Sequence, residues 1–456
     1  MIRNYIGDRT FYKRLFTITI PLVVQQLITT LIQLIDNIMV GSLDESAINS
    51  VSVVNQLYFV VILIIFGVMG GAGIYTAQYY GSKDFEKLKE TFRFKLLVGS
   101  MVALLAIILF TIMGRFLFSL FTDTPNTLND GMSYLSITKF GLIPLALSIA
   151  ISTTFREIGI TKPLLYISVG AVVVNTVLNY GLIFGNFGLP RMEVLGAGIA
   201  TFIARLVEFI LMLVLYLKKG NVFKITFLSL FNIERNVLSN IIKMALPLTL
   251  NEAFWSLGQT SFIYAYAQRG DTALAAMHIT NAVSQIVFVT FGAIATGVAV
   301  LVGNTLGANQ LEVAKDNARK LIAFAVMLAI GAGSILFILS FFVLDFYSIN
   351  ESTKSIALFN IRINALFIPF YSFNVALYFI LRSGGDTLST VLMDSGYMWA
   401  IAVPIALILA FFTSMPITLM FLMIQSLDIP KAFIATARYK KGRWLRNLAK
   451  SDINLL

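Results

Sequence analysis

The stretch Leu57–Ala77, which reads LYFVVILIIFGVMGGAGIYTA, decides the class of this protein. It lies within residues 46–82, where no side chain carries a charge. About 20 consecutive apolar residues are enough to cross the hydrocarbon core of a bilayer as an α-helix. The stretch therefore predicts a membrane-spanning helix, which we place at 47–79.

The composition extends this prediction to the whole chain of 456 residues. Hydrophobic residues make up 58% of it and charged residues only 12%, whereas soluble domains average about 25% charged residues. At about 20 residues per helix, the apolar residues supply roughly twelve to thirteen spans. The apolar runs predict twelve spans, at 15–40, 47–79, 94–120, 133–153, 163–184, 195–217, 240–268, 272–304, 320–346, 356–381, 388–411 and 415–430.

The scarcity of reactive side chains limits the chemistry. Cysteine is absent and His278 is the single histidine, which excludes disulfides, thiolate nucleophiles and multi-histidine metal sites. The short loops also lack phosphate-binding and metal-binding motifs. We therefore expect that the protein is not an enzyme and uses no cofactor besides a coupling ion.

The net charge of +11 follows a membrane pattern. If both termini are cytoplasmic, 27 of the 34 Lys and Arg residues fall on the cytoplasmic side and six on the external side. Positive charges resist translocation, so we expect both termini in the cytoplasm. The bilayer accounts for the basic charge, and we expect no nucleic-acid partner.

The chain repeats itself at an offset of 226 residues. When 21–93 is laid on 247–319, twelve of 73 positions coincide, among them Pro21 with Pro247, whereas chance gives roughly five. Because each repeat holds an even number of spans, the repeats are parallel. We predict an all-α integral membrane protein whose twelve transmembrane helices form two parallel-repeat six-helix bundles with a central cleft. The predicted parts are an N-terminal lobe at 1–217, a cytoplasmic linker at 218–239 and a C-terminal lobe with a basic cytoplasmic tail at 240–456.

This architecture favours a transporter. Two lobes related in this way can rock and expose a cleft to one side of the membrane and then to the other. A channel would need polar residues along a continuous pore, and the sequence has no charged ring or filter-like Gly-rich loop. It also has no nucleotide-binding domain, so we expect an ion gradient to drive transport.

Several motifs resemble those of multidrug and toxic compound extrusion (MATE) transporters. The stretch 21–41 opens with PLVVQQ and closes with LIDNIMVG, which resembles the first span of that family. LPLTLNEAFWSLG at 246–258 resembles the opening of its second lobe, and RSGGDT at 382–387 its cytoplasmic motif after the tenth span. The stretches 175–185 and 196–201 are similar to its fifth and sixth spans. The resemblance covers nearly the whole chain and implies a drug-efflux antiporter of a bacterial cytoplasmic membrane, driven by Na⁺ or H⁺.

Asp36 is the first candidate for the coupling site. An acid in mid-membrane costs about 2.5–3.5 kcal/mol, so it should face a cavity. There it can carry a proton, or bind Na⁺ if neutral oxygens complete the shell. Asn175 and Asn179 are four residues apart on one helical face, and Thr201 can add a hydroxyl. The resemblance implies that these four residues form the first-lobe cation site, a possible Na⁺ site; the alternative is that the asparagines only hydrogen-bond helix to helix.

Glu252 is the candidate acid of the second lobe. It resembles the second-lobe acid of NorM-type members, which takes part in cation coupling or drug binding. The alternative is a glutamate near a helix start, stabilised by the helix dipole. The candidates for second-lobe coupling or substrate binding are Glu252, Trp255, Gln259 and Asn281. Further candidates for the cleft are Gln33, Asn55, His278, Tyr371, Asn374 and Asp394.

The aromatic residues near Glu252 suggest a substrate class. A carboxylate with aromatic faces attracts lipophilic organic cations through charge and cation–π contacts. We therefore expect a small-molecule partner that is an organic cation, such as a drug or dye. The aromatic residues in this stretch are Phe254, Trp255, Phe262, Tyr264 and Tyr266.

Two other functions stay open. The first is a flippase for a lipid-linked saccharide or another amphiphile, although such a cleft should be rich in cationic side chains rather than in acids. The second, less favoured, is an integral-membrane transferase. With short loops and no assembly motif, we expect a monomer in the bilayer.

Overall fold

The computed structural model describes residues 5–122, 124–346 and 349–450. Within them, the side chains of 32–34, 45 and 286–291 lie outside the description. The regular elements of the described residues are all helical.

Twelve long helical segments follow one another through the described part of the chain. Four of them contain a break: α4 passes through a 3₁₀ turn at Lys139–Gly141, α8 continues as Ala299–Gly303 and Asn304–Gly307, α11 contains two π-helical turns, and α12 is interrupted after Ser426. The segments are α1 (Arg9–Gly41), α2 (Glu45–Ser82), α3 (Phe85–Ser119), α4 (Pro125–Glu157), α5 (Lys162–Phe184), α6 (Glu193–Lys219), α7 (Arg235–Ala267), α8 (Asp271–Val298), α9 (Leu311–Leu339), α10 (Glu351–Ser383), α11 (Thr387–Phe412) and α12 (Ile417–Lys440).

Ten of these helices are long and apolar enough to cross a membrane, counted over the described residues; α7 and α8 are the other two. The all-α membrane fold with twelve helices, which the sequence predicts, is confirmed. The apolar runs therefore identify the spans correctly, because a helix that crosses lipid must satisfy every backbone polar group internally.

Several predicted helix ends differ from the structure, and the differences are largest at the starts of α3 and α9 and at the end of α12. The apolar runs predict that α3 begins at 94 and α9 at 320, but the helices begin at Phe85 and Leu311. Asp84 caps α3 by accepting a hydrogen bond from the backbone N–H of Lys87 at 3.2 Å. Polar residues at an interface keep helical geometry, so hydropathy alone misses these first turns.

The third wrong end is that of α12, predicted at 430. The helix continues to Lys440, with a break after Ser426 and Pro430 in the first turn of its second piece. Proline is tolerated there because a first-turn N–H has no intrahelical partner. The charged run that the sequence assigns to the tail is thus partly helical.

The chain divides into two compact units. One is Ile20–Thr249, here the N-terminal unit; the other is Met1–Thr19 with Leu250–Leu456, here the C-terminal unit. Both divisions fall inside a helix within two residues of a proline, Pro21 in α1 and Pro247 in α7. A proline inside a helix removes a hydrogen bond and permits a bend. The lobe boundaries expected from sequence stay a prediction.

The N-terminal unit contains a buried ion pair. Lys95 of α3 donates to Glu157 of α4 and, at 3.2 Å, to Thr154. Lys95 is fully buried. Gly73 of α2 makes room for this pair, because a Cβ there would overlap Glu157.

The C-terminal unit is closed at one end by the segment after α12. Trp444 is 1% exposed, belongs to the main core cluster and stacks on Tyr439. A Cβ at Gly384 would overlap the backbone of Trp444. Asn447 donates to the backbone oxygen of Gly307 at 3.0 Å, so this segment contacts the ends of α8 and α10.

Candidate cation and substrate sites

The first candidate site lies in the N-terminal unit, where α1 meets α5. Asn179 is buried, and its Nδ2 donates to Asp36 Oδ1 at 2.9 Å. The same Nδ2 lies 3.5 Å from Asn175 Oδ1, one turn earlier on α5. The structure therefore brings together three of the four residues proposed for the first-lobe site.

Thr201, the fourth, is reached through another side chain. Its hydroxyl lies 3.4 Å from the hydroxyl of Tyr134, which projects from α4 and is buried. The sequence analysis misses Tyr134, because one tyrosine among 17 gives no signal of its own. The four-residue spacing on α5 does give a signal for the asparagines.

Two features make this group suited to a cation. Asp36 forms no ion pair with any residue that the structure describes. Asn179 Oδ1 is buried and has no hydrogen-bond partner among the described side chains, a condition that costs about 1–3 kcal/mol. A bound cation would satisfy that oxygen, and polar oxygens beside a carboxylate suit Na⁺ as well as H⁺.

The second candidate site lies in the C-terminal unit. Glu252 projects from α7, and its Oε1 lies 3.9 Å from NH1 of Arg382 at the end of α10. The alternative that Glu252 stands near a helix start is wrong, because α7 begins at Arg235. Trp255 and Gln259 follow at helical spacing on α7, where Trp255 is half-buried and Gln259 exposed.

Asp394, a candidate for the cleft, has surroundings that its sequence position does not indicate. The sequence shows no basic neighbour, which is wrong in three dimensions: Lys431 of α12 lies 3.0 Å from Asp394 Oδ1. Asn251 of α7 donates to the other oxygen, Oδ2, at 3.1 Å. Sequence reasoning misses both Asn251 and Lys431. A signal for Lys431 exists, since the 226-residue offset pairs it with Arg205, a basic residue inside α6.

The remaining candidates are dispersed. Asn374 is buried and donates to the backbone oxygen of Asp428 at 3.0 Å, and Tyr371 of α10 is half-buried. The side chain of Gln33 lies outside the described residues. The exposed candidates are Asn55, His278 and Asn281.

The aromatic group near Glu252 is not a single surface. Tyr266 is 3% exposed and packs against Phe421, while Tyr264 contacts Phe411. Phe254 is exposed, and its backbone oxygen accepts a hydrogen bond from Trp399. The expectation that the five aromatic residues line one site is wrong, because helical periodicity spreads them around α7.

The repeat is visible in these contacts. Gln25 donates to Ser168 at 2.6 Å between α1 and α5. Asn251 and Asp394, which make the same type of contact between α7 and α11, each follow by 226 residues. The two units thus use one helix–helix contact with different chemistry, a neutral pair in the first and a charged one in the second.

A twelve-helix membrane fold with polar groups and acids inside its helices defines a membrane transporter. The sequence profile described as MatE matches residues 21–181 and 247–412, two segments that begin 226 residues apart. The chain therefore belongs to the MatE family, which confirms the resemblance stated from its motifs.

Individual relatives agree with this assignment. YisQ of Bacillus subtilis, described as an uncharacterized transporter, is 24% identical over 408 residues, covering 88% of this chain and 87% of the relative. The multidrug resistance protein PmpM of Pseudomonas aeruginosa is 24% identical over 403 residues, covering 87% and 83%. An outward-facing structure of a multidrug resistance MATE family transporter of the MOP superfamily has a TM-score of 0.85 at 17% identity and covers 99% of each chain. That structure supports the fold.

Proposed function

We propose that this protein is an antiporter that exports lipophilic organic cations in exchange for Na⁺ or H⁺, by alternating access. The observation that carries the proposal is the contact of Asp36 with Asn179, whose own side-chain oxygen has no hydrogen-bond partner in the part of the chain that the structure describes. A carboxylate without a counter-ion inside a membrane helix favours an exchangeable cation over a fixed one.

The geometry suits either coupling ion. A proton needs only Asp36, since protonation removes the charge and weakens the 2.9 Å hydrogen bond from Asn179. Sodium needs several oxygens, and Asp36, Asn175 and Asn179 offer them within one group. In both cases the loading of Asp36 changes the contact between α1 and α5, which links ion binding to helix position.

Two arguments support the substrate class. Relatives such as PmpM carry the name multidrug resistance protein. The acids Asp36 and Glu252 lie inside membrane helices, where a cationic substrate offers them charge compensation. We further propose a monomer in a bacterial cytoplasmic membrane with both termini in the cytoplasm, in line with the basic residues of the predicted cytoplasmic segments.

Dye transport in proteoliposomes tests the proposal. Purified protein is reconstituted with ethidium, and a Na⁺ gradient and a pH gradient are imposed separately. We expect one gradient to drive dye against its concentration difference, Asp36→Asn to abolish the movement, and Asp271→Asn, an exposed acid at the start of α8, to preserve it. If the wild-type protein moves no dye under either gradient, the organic-cation proposal is wrong, and amphiphile flipping becomes the function to test.

A further inference from the structure

The segment that connects α6 to α7, residues 220–234, is docked on the N-terminal unit by one buried side chain. Phe223 is 0% exposed, and its ring packs against one ring from each of three helices, at centroid distances of 4.9, 5.0 and 5.4 Å. The three rings are Phe92 of α3, Phe155 of α4 and Tyr216 of α6. Aromatic pairs stabilise a contact beyond the area that they bury, so this connecting segment has a fixed place on the unit.

A hydrogen bond on each side of its centre holds the backbone of the connecting segment. The backbone N–H of Ile225 donates to the hydroxyl of Tyr216 at 2.8 Å. Further along, Arg93 of α3 donates from NH1 to the backbone oxygen of Asn232 at 2.7 Å. A hydrogen bond from a charged group is among the stronger ones. The residues between these two points therefore have a defined outward side.

These contacts place the connecting segment at the edge of the hydrocarbon core. On α3, Arg93 and Lys95 are the last charged residues before the run 96–114, which contains no charge. On α6, Tyr216 stands two residues before Lys218, where the apolar part of that helix ends. The change from apolar to basic residues along a spanning helix marks the boundary between acyl chains and headgroups. The segment is thus docked at the level of the headgroups.

The outward side of the connecting segment carries three large apolar side chains within five residues. Leu228 is 95% exposed, Phe227 86% and Phe231 78%. The first two are the most exposed large hydrophobic side chains in the described part of the chain, and both lie in the 3₁₀ turn Phe227–Ser229. A group of exposed apolar residues among polar ones marks an interaction surface. At the level of the headgroups, the partner at hand is lipid.

The charges around these apolar residues indicate the kind of lipid. Four basic residues stand in 218–235, and Glu234 is the single acid of that stretch. All four basic side chains are exposed; they are Lys218, Lys219, Lys224 and Arg235. Apolar side chains combined with exposed Lys and Arg are typical of segments that lie in the interface of a membrane with anionic lipids. The charge of this surface therefore complements anionic phospholipid.

We propose that the connecting segment is a membrane anchor, whose three exposed apolar side chains insert at the boundary between the headgroups and acyl chains of an anionic bilayer. The basic side chains beside them bind the phospholipid phosphates. Because Phe223 ties the segment to α3, α4 and α6, the anchor sets the depth of these helices in the membrane. This lipid contact is independent of the substrate and of the coupling ion.

A single fluorescent label tests the anchor, since the chain contains no cysteine. Leu228→Cys is labelled with bimane, and the purified protein is reconstituted in vesicles of phosphatidylcholine and phosphatidylglycerol that contain nitroxide-labelled lipid. We expect this lipid to quench the label more strongly than the same label at Lys83→Cys, an exposed residue that follows α2. Quenching at Leu228 that is equal to or weaker than that at Lys83 would overturn the proposal, and is the result expected if water or another protein chain covers the segment.

A second variant tests the insertion of the apolar side chains. Phe227→Ser/Phe231→Ser is made in the protein labelled at Leu228, and both substituted side chains are exposed, so the packing of the unit is left in place. We expect the nitroxide-labelled lipid to lose its excess quenching over the Lys83 label. Unchanged quenching in this variant would mean that the two aromatic side chains do not hold the segment in the lipid, and would overturn the anchor.

A third variant tests the preference for anionic lipid. Lys218→Gln/Lys219→Gln/Lys224→Gln removes three exposed charges beside the apolar group. We expect quenching of the Leu228 label in the phosphatidylglycerol vesicles to fall to the value measured in phosphatidylcholine alone. Equal quenching in the two kinds of vesicle before this substitution would overturn the anionic preference. None of these measurements involves transport, so a failure of the antiport proposal leaves the anchor intact.

Discussion

At the scale of single residues, the acids inside the helices differ in how they are compensated. Asp36 has an amide donor and no cation, Glu252 has a distant arginine, and Asp394 has a close lysine. An acid with no basic side chain beside it can be compensated only by an ion from solution. An acid that is paired with a lysine or arginine is already compensated by the protein. These differences are the reason why we propose ion loading at Asp36.

Replacing Asn179 by Leu tests this assignment. The change removes the donor to Asp36 and the unpartnered oxygen while keeping the side chain's size. A hydrogen bond to a charged group contributes about 1.5–3 kcal/mol, which corresponds to a roughly ten- to hundredfold change in the half-maximal ion concentration. We expect this concentration to rise if the ion is Na⁺, because a ligand oxygen is lost, and to fall if the ion is H⁺, because the charged form of Asp36 loses its donor. The measurement is the ion concentration for half-maximal dye transport, with the exposed Asn221→Ala as control. Equal values for Asn179→Leu and wild type would contradict a role in ion binding.

The buried pair of Lys95 and Glu157 gives a second residue-level prediction. Removing one partner of a buried ion pair costs about 3–5 kcal/mol, whereas removing both is often neutral. Lys95→Met should therefore lower the unfolding midpoint of the detergent-solubilised protein strongly, and Lys95→Met/Glu157→Leu should recover most of the loss. If the double variant is less stable than the single one, the two side chains do not act as a pair.

The sequence predicts site residues correctly where their spacing along a helix places them on one face. Asn175 and Asn179 are predicted together because one helical turn separates them. In the structure Asn179 contacts both Asp36 and Asn175. Lys431 is missed because it precedes the basic residues of the C-terminal tail and is grouped with them. Only the folded structure places it next to Asp394. Tyr134 is missed because its partner, Thr201, is 67 residues away in sequence.

At the scale of elements, hydropathy predicts which segments are helices, and capping decides where they begin. Asp84 and Asn350 accept hydrogen bonds from backbone N–H groups at the starts of α3 and α10. These caps lie outside the apolar runs, so the predicted starts fall short by nine residues at α3 and five at α10. The segment after α12 had no predicted structure, because its contacts are with distant helix ends.

Gly384 provides an element-level test of that segment. A methyl group there would overlap the backbone of Trp444, so Gly384→Ala should release the segment. The side chains of Arg443 and Arg446 are already exposed, but trypsin needs a flexible backbone, so we expect faster cleavage at these two arginines once the segment is released. Gly331→Ala, in α9 with nothing within 4 Å, is the matched control. The readout is the rate of trypsin cleavage near the C-terminus of the folded protein. Equal cleavage rates for the two variants would mean that Trp444 does not dock on Gly384.

At the scale of the whole molecule, the repeat organises the architecture and the sites depart from it. The family profile matches the chain twice at the repeat offset, and Gln25–Ser168 and Asn251–Asp394 are the same contact in each unit. Yet the partner of Asp36 at this offset is Phe262, and that of Glu252 is Gln26. The repeat can be predicted from sequence because both units pack their helices in the same way. The acids cannot be predicted from the repeat, because each unit has its acid at a position where the other unit has none.

Orientation in the membrane is a whole-molecule prediction that the absence of cysteine makes simple to test. Single cysteines at the exposed positions Arg191 and Glu351 should react with a membrane-impermeant thiol reagent in intact cells, and cysteines at Lys83 and Lys219 should not. After permeabilisation all four should react, which controls for accessibility. The reverse pattern would place the basic segments outside and contradict the charge rule.

Obligatory exchange of ion and substrate is tested most directly by using a substrate gradient to drive the ion. A gradient of ethidium alone is imposed across proteoliposomes, and the movement of H⁺ or Na⁺ is followed with no ion gradient at the start. An antiporter must drive its ion against the dye flux, and Asp36→Asn must abolish that movement. Dye that dissipates its gradient with no counter-movement of either ion would contradict the account.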